Sequence, residues 1–176
     1  AIKNLENGSR SIAVINRNDE PRILELKMKT ADGDKAFRKY LYDPANVPFN
    51  YFADLQPYSE KISLKNGSFK DTIPPQSLVV YTTAYDDDPP ATVTGLKWEI
   101  RKIDDRDRAV ISWDPNTEKD LCYYRIYRSE KPDVEVSENK QIASTISNQH
   151  IDISVHDMPR YYYRVIAVDQ SGNTSK

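Results

Sequence analysis

A single cysteine in 176 residues leaves no internal disulfide framework and no cysteine-based metal cluster. Cys122 lies in Leu121-Cys122-Tyr123-Tyr124, a setting that predicts a small buried apolar side chain. Glycine is scarce as well. The five present form no phosphate-cradling loop, and the nucleophile-elbow pattern G-x-S-x-G does not occur. Charge of one sign is missing: Lys and Arg number 25 against 27 Asp and Glu, a net charge of −2. Without a basic face, neither nucleic-acid binding nor a polybasic membrane anchor is expected. No apolar run approaches the roughly 18–20 residues of a spanning helix, so membrane insertion is not expected, and no signal peptide is recognisable. The chain starts at Ala1 rather than Met, as expected of a piece cut from a longer polypeptide.

Helical periodicity is also lacking. No stretch longer than about ten residues keeps apolar side chains at i, i+3, i+4 and i+7 without a proline or a polar break. What is present is strand composition: twelve Tyr, four Phe and two Trp, with β-branched residues in short alternating runs. Leu24, Leu26 and Met28 alternate with Glu25, Lys27 and Lys29, one face buried and one wet. Further strands are predicted over 11–16, 36–42, 61–64, 69–73 and 77–82. Asn66-Gly67 marks a tight turn and Pro74-Pro75 a corner, since paired prolines cannot sit in a central strand.

A boundary follows at Asp86-Asp87-Asp88-Pro89-Pro90, where three like charges meet two prolines that favour extended backbone. Three aspartates can supply oxygen ligands to calcium, but no EF-hand spacing surrounds them, and a semi-rigid solvated linker is the simpler reading. Beyond it, strands are predicted over 92–96, 108–113, 123–128, 141–146, 151–155 and 161–169. Turn signals recur about every ten residues, as in a β-sandwich. Two domains of about 85 residues each bury only about 60–65% of their unfolded surface, so both cores are thin.

The second half carries specific motifs. Pro89-Pro90 opens onto Val93 and Leu96. Ala109-Val110-Ile111-Ser112-Trp113 ends in a core tryptophan followed by Asp114-Pro115. Tyr124-Arg125-Ile126-Tyr127-Arg128 follows, then Tyr161-Tyr162-Tyr163-Arg164-Val165-Ile166-Ala167-Val168-Asp169, closed by Ser171-Gly172-Asn173. These segments resemble a fibronectin type III domain of the kind attached to bacterial polysaccharide-degrading enzymes. The resemblance implies a core of Trp113, Tyr124, Ile126, Tyr161, Tyr163, Val165 and Ala167, with Tyr161 as a tyrosine corner against nearby backbone. It gives no Arg-Gly-Asp, hence no integrin-type adhesion, and the family's last strand is expected to be incomplete at Lys176. Tyr123, Tyr127 and Tyr162 are expected to face outward.

In the first half, Ile12-Ala13-Val14-Ile15-Asn16-Arg17-Asn18, the strand from Leu24 to Met28 and Ile73-Pro74-Pro75-Gln76-Ser77-Leu78-Val79-Val80-Tyr81 loosely resemble the β-sandwich that follows the catalytic barrel in several glycoside hydrolase families. There the sandwich braces the barrel, and the acid and nucleophile carboxylates lie in the barrel. The combined expectation is an all-β chain of two antiparallel β-sandwich domains in tandem, the second immunoglobulin-like. They would span residues 1–86 and 91–176, with a linker at 87–90.

Sites are sparse. Glycoside hydrolysis needs two carboxylates roughly 5–10 Å apart in a cleft. Here acidic residues fall in turns or on wet faces, as with Glu25 or the charged hairpin at Asp104-Asp105, and no catalytic residue is expected. His150 and His156 flank one strand, and Asp152 or Asp157 is a conceivable third zinc ligand. Polar residues at strand ends are the simpler reading, and no cofactor or metal is expected. Tyr40, Tyr42, Phe49, Tyr51 and Phe52 form the densest aromatic stretch and are the candidate sugar contacts. The alternatives are that they cover the thin core or face an absent barrel. The functional expectation is a monomeric accessory region of a secreted bacterial glycoside hydrolase, extracellular, periplasmic or at the cell surface. Its expected partners are the upstream catalytic domain and, if it is a binding module, a polysaccharide.

Overall fold

The structure is a computed structural model that describes residues 1–29, 35–45, 52, 57–155 and 161–176. Alternating sequence becomes strand throughout, and the described residues include no α-helix. The chain divides into two compact units, Ala1–Asp86 and Asp87–Lys176.

In the first unit, β1 (Ile2–Lys3), β2 (Arg10–Asn16), β4 (Phe37–Tyr42), β5 (Glu60–Ile62) and β7 (Ser77–Thr82) form an antiparallel sheet in the order β1-β2-β7-β4-β5. β3 (Arg22–Lys27) and β6 (Ser68–Ile73) pair as a two-stranded ribbon. The core between them holds Ile12, Phe37, Phe69, Ile73, Val79 and Tyr81, with Val14, Leu24, Leu26 and Leu41 packed against it. Phe69 stacks at a tilt on both Phe37 and Tyr81, at centroid distances of 6.2 and 5.0 Å.

Two segments far apart in sequence meet through Asn16, which is buried. Its amide donates to the carbonyls of Glu20 and Pro74, both at 2.9 Å, and its side-chain oxygen accepts from the Asn18 amide groups. One side chain thereby satisfies two turns, the 17–21 connection and the Pro74-Pro75 corner. Asn66 (φ 50°) and Gly67 (φ 73°) make the expected tight turn into β6.

In the second unit, β10 (Leu121–Ser129), β11 (Gln141–Thr145) and β13 (Tyr162–Asp169) form one sheet, ordered β11-β10-β13. β8 (Lys97–Ile103), β9 (Arg106–Ser112) and β12 (Gln149–Asp152) form another, ordered β12-β9-β8. A short 3-10 turn, Glu138–Lys140, leads into β11. Ala109, Ile111, Trp113, Tyr124, Ile126, Val155, Val165 and Ala167 make the core, and Tyr161 and Tyr163 pack against it. Trp113 meets Tyr124 edge-on at 5.2 Å.

Three expectations need correction. The strand predicted over 92–96 is irregular backbone, and pairing starts at Lys97. Gly95 breaks the run at φ +67°, where a Cβ would lie 2.2 Å from a carboxylate oxygen of Asp114. Cys122 is exposed, because the β10–β13 register slips between Leu121 and Tyr123 and the bulge turns the cysteine outward. Tyr127 is buried on the outer side of its sheet, covered by Val134 from the loop after β10, with Ile166 and Tyr162 alongside.

Gly95→Ala is expected to destabilise the second unit by about 1–3 kcal/mol, read from urea unfolding followed by tryptophan fluorescence. An unchanged midpoint would mean that Asp114 moves aside at no cost.

Candidate functional site

Each unit sets a carboxylate against a cation and a tyrosine of the facing sheet. In the first unit, Phe37, Lys39 and Leu41 of β4 share the inward face, and so do Phe69, Asp71 and Ile73 of β6. A lysine and an aspartate thus enter an apolar layer from opposite sheets. Lys39 Nζ sits 2.7 Å from Asp71 and 3.0 Å from Glu60, with its side chain 10% exposed. The Tyr81 hydroxyl donates to Asp71 at 2.5 Å. Burial pushes the Asp71 carboxyl up, but its bonds from Lys39 and Tyr81 outweigh that and hold it below the ordinary range. Burial likewise pushes Lys39 down, and its two carboxylates leave it raised. Burial and the bond to Asp71 push Tyr81 far up, so it remains a donor.

The second unit repeats the donor set. Asp152 on β12 is 3% exposed, and its carboxylate accepts from Arg128 of β10 at 2.7 Å and from the Tyr163 hydroxyl of β13 at 3.1 Å. Ser154 adds its amide at 3.0 Å and its hydroxyl at 2.7 Å. Burial raises the Asp152 carboxyl, and the bonds from Ser154 and Arg128 bring it below its usual value. Arg128 also lies 4.5 Å over the Tyr161 ring, so Tyr161 supports a guanidinium in the position read as a tyrosine corner. Asp169, also buried, accepts the Ser171 and Asn173 amides at 2.8 Å each.

His150 is half-buried, and burial lowers its pKa against a smaller upward pull from Asp152. Asp152, one of the two conceivable third zinc ligands, is committed to Arg128, Tyr163 and Ser154. His156 and Asp157 lie outside the described residues.

The candidate sugar contacts separate. Phe49 and Tyr51 lie outside the described residues, and Phe52 is half-buried. Tyr40 and Tyr42 stand on the outward face of the five-stranded sheet. Cross-strand pairing places Ala13, Val80 and Tyr40 in one row and Ile15, Leu78 and Tyr42 in the next. Ile15 is 67% exposed, Leu78, Val80 and both tyrosines are half-buried, and neither row carries a charge. Burial and the neighbouring Tyr40 raise the Tyr42 hydroxyl. The outward face of the β3–β6 ribbon differs, with Glu25 bridged to Lys27 at 3.3 Å and close to Lys70.

A cleft of about 490 Å³ opens beside the end of β10, lined by Arg128, Lys131, Asp133, Glu135, Lys140 and Tyr161 among others. Its charges are mixed, and the Tyr161 ring on its wall lies under Arg128. Sequence reasoning missed Asn16, Lys39, Asp71 and Arg128. A signal existed for Lys39 and Asp71, since each is a charge spaced two residues from apolar neighbours on either side.

No protein-family profile matches the chain, and no curated protein matches it. Among solved structures, it is similar to the spore cortex lytic enzyme SleM of Clostridium perfringens, with 18% identity, 64% of this chain covered and a TM-score of 0.39. It is also similar to a bacterial orthologue of human α-L-iduronidase (19% identity, 96% covered, TM-score 0.43) and to a run of domains from titin (12%, 94%, 0.42). The matches take in 33%, 32% and 63% of those chains, so this chain spans about a third of the first two.

Asp71→Asn and Asp152→Asn are each expected to cost about 1–3 kcal/mol, because each takes a charge-assisted bond from a largely shielded cation that keeps another partner, Glu60 for Lys39 and Ser154 for Arg128. Acid should act in the same direction. Both aspartates are depressed when folded, so their stabilisation is complete above about pH 4 and lost as pH falls through the lower folded values. His150, also depressed, withdraws stability earlier, as pH falls below about 6.5. Urea midpoints between pH 8 and pH 3 check this. A profile flat down to pH 3 would contradict the ion-pair assignment.

Proposed function

We propose that this chain is a non-catalytic accessory region of a larger bacterial glycoside hydrolase acting on a polysaccharide outside the cytoplasm. In this reading the first unit is a sandwich that braces the catalytic domain, and the second is a fibronectin type III spacer or docking module. The motifs of both halves support it. The observation that carries it is a pair of uncharged rows on the outward face of the five-stranded sheet. Ala13, Ile15, Leu78, Val80, Tyr40 and Tyr42 put apolar surface where an unpartnered sheet would carry polar residues. Two uncharged rows that carry two phenol hydroxyls suit a protein wall. The chemistry of hydrolysis would then belong to the partner domain, since Asp71, Asp152 and Asp169 are all engaged in structural bonds.

One observation favours a second reading, a carbohydrate-binding module. Tyr40 and Tyr42 are two residues apart on that face and could present their rings to the apolar side of a pyranose.

The two readings respond differently to substitution. Ile15→Glu in the full polypeptide should lower the melting temperature of the catalytic domain by about 2–4 °C per kcal/mol lost, while changing the isolated chain by less than about 0.5 kcal/mol. An unchanged catalytic domain would end the bracing reading. Saturable binding of the chain to one soluble polysaccharide by calorimetry, abolished by Tyr40→Ala with Tyr42→Ala, would establish the module instead.

A further inference from the structure

The stretch joining the two units, rich in aspartate and proline, reads by composition as a spacer in solvent. Its contacts tie it down from both ends. On the first unit's side, the chain leaves β7 with the Thr83 amide bonded to the Arg10 carbonyl at 2.9 Å, and the Arg10 amide returns a bond to the Thr83 hydroxyl at 2.9 Å. Tyr85 then folds back. Its hydroxyl donates to the Ala36 carbonyl at 2.8 Å, its own carbonyl accepts from Lys35, and its ring lies 4.1 Å from the Arg38 guanidinium. Arg38, 2% exposed, is flanked by Tyr58 at 4.6 Å and donates to the Asp86 carbonyl at 3.0 Å. Loosening Tyr85 and Asp86 would take a ring and a carbonyl acceptor from a buried guanidinium, which is costly.

On the second unit's side, Asn173 reaches the Asp88 carbonyl at 3.5 Å, and Pro90 is buried. Ala91 is held at both of its backbone polar groups: its amide donates to Glu118 at 2.6 Å, and its carbonyl accepts from Asn116 at 2.9 Å. Asn116 is anchored in turn, its amide bonded to the hydroxyl of the core residue Tyr124 at 2.8 Å. Pro89 and Pro90 fix their own φ and restrict the residue before each.

We propose that Asp86–Ala91 is an anchored connector rather than a flexible tether. The first unit orders it as far as Asp86 through the Arg38–Tyr85 clamp. The second orders it from Asp88 to Ala91 through Asn173, Glu118 and Asn116, with the hand-over at Asp87. The inference rests on these contacts and is independent of the accessory reading. Its functional content is that the residues on either side of Asp87 are each held by their own unit and do not act as a leash.

Backbone ¹⁵N relaxation on the full chain tests it. The amides of Asp86, Asp88 and Ala91 should show order parameters near about 0.85, like those of the flanking strands. Values below about 0.6 in the unaltered chain would overturn the proposal. The two anchors should also fail separately. Tyr85→Ala should loosen Asp86 and leave Ala91 ordered, and Asn116→Ala should do the reverse. Should Tyr85→Ala unfold its unit, judged from the β7 resonances, Lys35→Ala keeps the Tyr85 ring while removing the bond to its carbonyl and the ammonium over the ring, and serves in its place. Substitutions that loosen both ends together, or neither, would show that the ordering comes from elsewhere.

Discussion

A carboxylate buried between facing sheets, held by a cation and a phenol from the opposite side, is the interaction on which both units depend. Asp71 with Lys39 and Tyr81 does this in the first unit, and Asp152 with Arg128 and Tyr163 in the second. Cores of this size offer little apolar surface, and a charge entering such a layer costs several kcal/mol unless paired and hydrogen-bonded. Each pair joins strands from different sheets. A slip of one residue in either strand would turn the charge to solvent and leave its partner stranded, so the pair selects one register.

The outward faces then divide the labour. On the β3–β6 ribbon, Glu25, Lys27 and Lys70 present charge to water. On the five-stranded sheet, the rows through Ala13 and Ile15 carry none. Both faces follow from inward positions already spent on the core, so their difference is not imposed by folding.

Strand identity was largely legible because alternation with a period of two is local. Residues 11–16, 69–73 and 77–82 lie within strands, and Asn66-Gly67 turns as its residue types require. The shift from 92–96 to Lys97–Ile103 has a local cause too, the left-handed backbone at Gly95, but its effect depends on Asp114 lying against it. The exposure of Cys122 and the burial of Tyr127 were not legible. One depends on a bulge against β13 and the other on a loop that folds Val134 over the sheet.

By itself, then, the sequence determined the all-β class, most strand positions, several turns and the face on which most strand side chains lie. These follow from backbone sterics and hydrophobic alternation within a few residues. Only the tertiary structure decided which faces meet. Lys39 and Asp71 each read as a charge out of place on an apolar face, and nothing nearby in sequence announces that they answer one another. The same holds for Arg38 with Tyr58 and Tyr85, and for Asn16 with the Pro74 corner. Pairings of this kind are set when separate sheets close on a common core, and a pattern with a period of two carries no information about the opposite sheet.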